Sequence, residues 1–269
     1  MSEMNSHYSS GYEESRLSVG EGRLEWLRTM EIVNRYAPPS PACILDVGGG
    51  AGAYALPLAQ RAYVVHLIDP VPLHIERARK AMALQPAHPL ASASVGDARS
   101  VPFEDNSADV VLLLGPLYHL TEKADRLLAL REALRTLCSG GILVAAGISR
   151  FASTCDGLRQ GFLEDPEFEE IVKRDLLDGQ HRNPSERPGW FTTAYFHSPD
   201  ELAGEITESG FALETLLAAE GPAWLLSKLD AWMADDEKVE VLLRAIRRIE
   251  AEPSLLGASA HILAIGRKP

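Results

Sequence analysis

Apolar residues in this chain arrive in two alternating rhythms. Short unbroken runs appear at Cys43-Ile44-Leu45 with Val47, at Val64–Ile68, at Val110–Leu114 and at Ile142–Ala146. Runs of this length, apolar at consecutive positions, predict strands covered on both faces. Ala91–Val95 is a weaker third strand of the same kind. Between the runs the spacing changes to three and four. Leu24, Leu27, Met30, Val33 and Tyr36 mark a helix over 22–37, and Pro38-Pro39 stops it. His74, Ile75, Ala78 and Met82 mark another, opened by Pro70 and Pro72, with Glu76 and Lys80 as a solvated pair. Leu127, Leu130, Leu134 and Leu137 mark a third. Thr121 is its expected cap, and Ser139-Gly140-Gly141 is the expected glycine stop. Strand and helix in strict alternation predict an α/β fold with a mostly parallel sheet.

After Ser149 the rhythm breaks. Leu158, Phe162, Phe168, Ile171, Val172, Leu176 and Leu177 suggest two short amphipathic helices, and an aromatic run follows from Trp190 to His197. Ser198-Pro199-Asp200-Glu201 is a capping box, and its helix ends at Gly210. A strand over 211–217, helices over 224–232 and 239–250, and a last strand over 259–266 complete the chain. The expected organisation is an N-terminal lid and helix (1–40), a core (41–149), an insertion capping the acceptor pocket (150–197) and a segment completing the core (198–269).

Composition narrows the function classes. The chain has 269 residues, and 46% hydrophobic content supports a full core. No apolar run reaches membrane-span length, and Met1 to Ser10 lack the regions of a signal peptide. Three cysteines, Cys43, Cys138 and Cys155, have no metal-ligand spacing. A cytoplasmic, soluble protein without a metal is expected. Lys and Arg total 26 against 38 Asp and Glu, a net charge of −12. That argues against a nucleic-acid partner, which needs clustered cations.

The chemistry concentrates at strand ends. The first strand ends in Asp46-Val47-Gly48-Gly49-Gly50-Ala51-Gly52, a glycine turn that lets backbone approach a ligand closely. Gly48-x-Gly50-x-x-Ala53 also satisfies a dinucleotide fingerprint, and any strand-to-helix turn can carry glycines. Asp46 separates the ligands by charge: it would repel a pyrophosphate and attract an ammonium or sulfonium. Asp69 ends the second strand, seventeen positions beyond Gly52, where an acid grips a ribose diol. Gly96-Asp97-Ala98 ends the third.

Asp46-x-Gly48-x-Gly50-x-Gly52, joined to Asp69 and Gly96-Asp97-Ala98, resembles the class I S-adenosylmethionine-dependent methyltransferases of small-molecule type. The resemblance covers about residues 41–148 and the closing strands. It implies a Rossmann-like, doubly wound seven-stranded sheet with an antiparallel final strand, helices on both faces, a helical lid and an insertion after the fifth strand. It implies S-adenosylmethionine as cofactor and S-adenosylhomocysteine as product. It places cofactor contacts at Tyr12, Arg16, Asp46, Gly48, Gly49, Gly50, Asp69, Pro70, Asp97, Ala98 and Leu114, with Arg16 pairing the donor's carboxylate and Asp97 and Ala98 holding adenine. The fourth strand ends in Gly115-Pro116-Leu117-Tyr118-His119, without the Pro-Pro-Tyr run of nucleic-acid amino methyltransferases.

Methyl transfer is an in-line displacement from a good leaving group, so alignment does most of the work. A base helps an acceptor of high pKa. His119, past the fourth strand, is the first candidate and His197 the second. Each also reads as a packing histidine beside a cap. Tyr118, Tyr195 and Arg182 are candidate acceptor contacts, Arg182 for an acidic group, with His181 weaker still. The expected activity is methyl transfer to oxygen, nitrogen or carbon of a small molecule by a monomer or homodimer. The rivals are an NAD(P)-dependent oxidoreductase and a non-catalytic donor-binding member of the fold.

Overall fold

The structure is a computed structural model that describes Leu17 and residues 19–269. Tyr12 and Arg16, the expected lid contacts, lie outside the described residues. In chain order the elements begin with α1 (Gly20–Tyr36), β1 (Cys43–Val47), α2 (Ala55–Gln60), β2 (Val64–Asp69), α3 (Pro72–Ala83) and β3 (Ser92–Val95). Next come β4 (Ala108–Leu113), α4 (Pro116–His119), α5 (Lys123–Thr136) and β5 (Leu137–Ser149). The insertion supplies α6 (Ala152–Gln160), α7 (Pro166–Asp178), β6 (Gln180–His181) and β7 (Ala194–His197). The chain closes with α8 (Pro199–Glu208), β8 (Ala212–Ala218), α9 (Leu229–Met233), α10 (Asp236–Arg247), α11 (Pro253–Leu256) and β9 (His261–Arg267).

Two compact units divide these elements. The first holds Met30–Ala146, Ala203–Thr215 and Ala264–Pro269. Its strands run in the order β3-β2-β1-β4-β5, all parallel, with Ile44 opposite Val65 on one side and Val110 on the other. The apolar runs became the middle strands because both faces are covered: Ile44, Leu45, Val65, Leu67, Val110 and Val111 are fully buried. β3 is the edge strand, and its serines are half-buried, in keeping with its weak pattern.

Two local expectations fail here. α5 stops at Thr136, and β5 begins at once with Leu137 paired to Ala108. Gly140 is therefore a kink inside a strand, at φ +77°, instead of a helix stop. Its N–H reaches the Lys268 carbonyl (2.9 Å) and the Lys268 N–H returns to Gly141 (3.0 Å), the reciprocal pattern of an antiparallel closing strand. Pairing to neighbouring strands on both sides outweighed the glycine's helix-stopping preference. Thr121 does not cap α5 either; Glu122 occupies that position without a side-chain bond, and the Thr121 carbonyl is taken by Arg126.

The second unit holds the described residues up to Thr29, Gly147–Leu202 and Leu216–Leu263. The expected amphipathic pair of helices is present as α6 and α7. Phe168, Ile171, Val172 and Trp190 form an apolar cluster with Phe162 and Leu163. Leu24, Trp224, Leu229, Met233, Leu242 and Ile246 belong to another. β6 and β7 form an antiparallel hairpin, and β7 joins the end of β5 in parallel at Ile148–Phe196 and Ser149–His197. This hairpin raises the strands among the described residues to nine, against the seven expected. Ser198 and Glu201 form both bonds of their capping box, at 2.9 and 3.3 Å.

Candidate functional site

β1 carries Asp46 to the upper edge of the sheet, and the carboxylate is fully buried there. Neither oxygen meets a donor in ordinary hydrogen-bond geometry. Burial, and then the charge of Asp69, push its pKa up to about 7, with the Ala55 N–H at the head of α2 pulling the other way. Gly49 lies against this carboxylate, so a side chain there would collide with Asp46 and with Leu67. Gly48 and Gly50 take φ values of +73° and +58°. A Cβ on Gly48 would sit 2.6 Å from the Pro116 ring, whereas one on Gly50 would meet nothing within 4 Å. The turn is thus closed beneath and open at Gly50, where backbone faces free space. The helix after it starts at Ala55 and runs for only 6 residues. Its dipole is a minor contribution, and the turn's own backbone does more.

The turn is tied to β2. The Gly48 N–H donates to the Ile68 carbonyl (2.7 Å) and the Gly50 N–H to Asp69 Oδ2 (2.9 Å). Asp69 is 4% exposed; its Oδ1 accepts from the Val71 N–H (2.9 Å) and meets His74 Nδ1 (2.9 Å). Oδ1 is therefore engaged twice, while Oδ2 keeps acceptor capacity beside the open glycine. Pro70 is exposed next to it. Asp97 follows β3 and is clasped by Arg99, through Nε (2.9 Å), Nη2 (2.6 Å) and the backbone N–H (2.8 Å). The Arg99 guanidinium holds the Asp97 carboxyl below its usual range. Ala98 is buried and Leu114 half-buried at the end of β4.

Tyr118 and His119 sit on α4, a single turn absent from the periodicity. Their rings lie 4.7 Å apart. A Cβ on Gly115 would come within 3.1 Å of the Gly48 oxygen and 3.7 Å of the Tyr118 hydroxyl, which sets α4 directly beside the glycine turn. These residues, Asp46, Asp69 and Asp97 all belong to the first unit.

His197, Tyr195 and Arg182 belong to the second unit. His197 is fully buried, with its ring edge-on to Tyr195 at 4.7 Å. The Tyr195 hydroxyl accepts from Arg150 (3.2 Å). Arg182 donates to the His181 and Ala194 carbonyls (2.7 and 3.1 Å) and to Gln180, bracing its own hairpin. Sequence reasoning missed Arg99, Arg126 and the buried Ser153–Asp175–His181 network. Arg99 lies two residues from Asp97 and was legible as a local pair; Glu205 lies 79 positions from Arg126, and Ser153 lies 22 from Asp175.

Among known proteins, the profile of a methyltransferase domain matches residues 45–145. An uncharacterized methyltransferase of Mycobacterium tuberculosis is 30% identical over 132 residues, 49% of this chain and 46% of its own. The ubiquinone/menaquinone biosynthesis C-methyltransferase of a Ruegeria species is 30% identical over 146 residues, 54% of this chain and 55% of its own. The 2-methyl-6-phytyl-1,4-hydroquinone methyltransferase of a Synechocystis species is 29% identical over 187 residues, 70% and 53%. The chain thus spans about half the length of these curated relatives. Among solved structures, a SAM-dependent methyltransferase of Methanosarcina mazei superposes with TM-score 0.59 at 21% identity, covering 88% of this chain and 96% of its own. The [4+2]-cyclase SpnF superposes with TM-score 0.57 at 19% identity, covering 90% and 81%. At such identities the structures speak for the fold alone, and the cyclase illustrates that one fold hosts different reactions. The matched profile and the relatives agree on a methyltransferase domain over residues 45–145, and the parallel sheet of the chain has the fold of the SAM-dependent methyltransferases.

Proposed function

We propose that the protein transfers a methyl group from S-adenosylmethionine to an oxygen, nitrogen or carbon atom of a small molecule. The observation that carries this reading is Asp46. A buried carboxylate without an ordinary hydrogen-bond donor, beside a turn that is open at Gly50, is suited to a cationic ligand. The same carboxylate disfavours the pyrophosphate of a dinucleotide, which sets the oxidoreductase reading behind.

When bound, the donor supplies an electrophilic methyl on a sulfonium. The residues of this chain bind and orient. Asp46 balances the donor's positive charge, and Gly48, Gly49 and Gly50 allow close backbone approach. Asp69, with Pro70 beside it, offers Oδ2 to a ribose hydroxyl. Asp97 and Ala98 receive adenine, with Leu114 as an apolar wall. Tyr12 and Arg16 are the lid contacts of this reading. His119 is the leading base, because α4 lies directly beside the glycine turn. His197 ranks behind it, because it is fully buried. Tyr118, on the same turn as His119, is the proposed acceptor contact. One relative is named as a C-methyltransferase of ubiquinone/menaquinone biosynthesis and another as a hydroquinone methyltransferase, so an electron-rich ring is the first acceptor to screen.

No helix among the described residues is long and apolar enough to cross a membrane. We place the protein in the cytoplasm, as a monomer or homodimer. The test is thermal unfolding with S-adenosylmethionine, S-adenosylhomocysteine or NAD at equal concentration. Mass action predicts a concentration-dependent rise in Tm with the first two alone. A rise with NAD only would overturn the assignment. A rise with the donor, without methylated product from any acceptor, would favour a binding protein.

A further inference from the structure

Building on that donor-site reading, we propose that Arg126 is a positioning residue that fixes the Tyr118–His119 turn against the glycine loop. Arg126 lies in the first turn of α5 and is 1% exposed. Its Nε and Nη2 donate to the two oxygens of Glu205 at 2.9 and 2.7 Å. Glu205 is itself 4% exposed. The remaining arm, Nη1, donates to the carbonyls of Leu120 (3.0 Å) and Thr121 (2.9 Å). Those two carbonyls directly follow α4.

α4 is four residues long and too short to hold its own geometry. One end is seated on the glycine turn by Pro116 against Gly48. At the other end the chain leaves through the carbonyls that Arg126 binds. A planar guanidinium can grip one carboxylate and two carbonyls at once, and a lysine ammonium cannot reproduce that fork. One position earlier on the same helix, Asp125 accepts from Arg99 (2.9 Å), the guanidinium that clasps Asp97. Neighbouring residues of one helical turn thus brace both the Asp97 turn and the α4 turn.

The test compares wild type with Arg126→Lys and with the double variant Arg126→Met/Glu205→Leu. The double variant replaces the buried pair by apolar side chains of similar volume, an exchange that often leaves stability intact. Three quantities are measured: the urea midpoint, S-adenosylhomocysteine affinity by calorimetry, and the imidazole ¹³C–¹H signals of His119, assigned with His119→Asn. The expected variant is folded, binds S-adenosylhomocysteine about tenfold more weakly and has shifted His119 signals. A folded variant with wild-type affinity and unmoved His119 signals overturns the proposal. A wild-type protein that binds no S-adenosylhomocysteine refutes the donor-site reading instead, and the His119 signals then decide alone whether Arg126 sets the turn.

Discussion

Asp46 is where burial and charge meet most sharply. Its pKa is raised from the ordinary 3.8 to about 7. In the unfolded chain the carboxyl ionises near 3.8; in the ligand-free fold it keeps its proton to about pH 7. The folded state therefore binds the extra proton, and this residue's contribution to stability falls as pH rises from about 4 to 7. Asp46→Asn should remove that slope and stabilise the ligand-free protein at pH 8 by a few kcal/mol, read from urea midpoints across pH. Donor affinity should run the other way, rising with pH through 7, since only the ionised carboxylate attracts an ammonium. A flat affinity profile in wild type would sink the role given to Asp46. Gly48 makes a sharper steric demand. Gly48→Ala forces a Cβ into the Pro116 ring at positive φ and should cost at least 1 to 2 kcal/mol, roughly the price of such a backbone conformation alone.

At the scale of elements, the second unit contains a buried polar network that no periodicity announced. Ser153 on α6 donates to Asp175 Oδ2 (2.5 Å) on α7, and His181 Nδ1 on β6 meets the same oxygen at 2.9 Å. His181 Nε2 faces the Trp190 carbonyl at 3.3 Å, and its ring stacks on Phe196 at 4.6 Å. Two helices and a hairpin are joined through one carboxylate. His181→Phe should keep the stack but leave Asp175 with Ser153 as its donor in this network, costing about 1 to 3 kcal/mol in urea unfolding, the range for a buried polar group that loses a partner. A loss too small to measure would mean that the network contributes no stability. The elements themselves differ in how legible they were. β1, β2, β4 and the apolar part of β5 were readable because burial on both faces demands continuous apolar residues. β6 and β7, with 2 and 4 residues, exist through pairing, to each other and to the end of β5. α4 is held by contacts at its two ends, so its four residues carry no signal of their own.

Across the whole molecule, the excess of acidic side chains should keep it off nucleic acid. With a net charge of −12, the protein should leave transfer RNA unshifted in a native gel at low salt, where electrostatic binding is strongest. Retarded RNA that is released by added salt would contradict this. Local order settled the alternation of strands and helices, the capping box at Ser198 and the placing of Asp46, Asp69 and Asp97 at successive strand ends. Those features follow from backbone geometry and from side chains a few residues apart, so the sequence by itself determined them. Only the tertiary structure decided that Asp46 lacks a donor, that Arg99 already holds Asp97, and that Arg126 reaches Glu205 from 79 positions away. Such pairings depend on how closely packed segments exclude water and which groups they leave facing one another, and no local pattern in the chain records that.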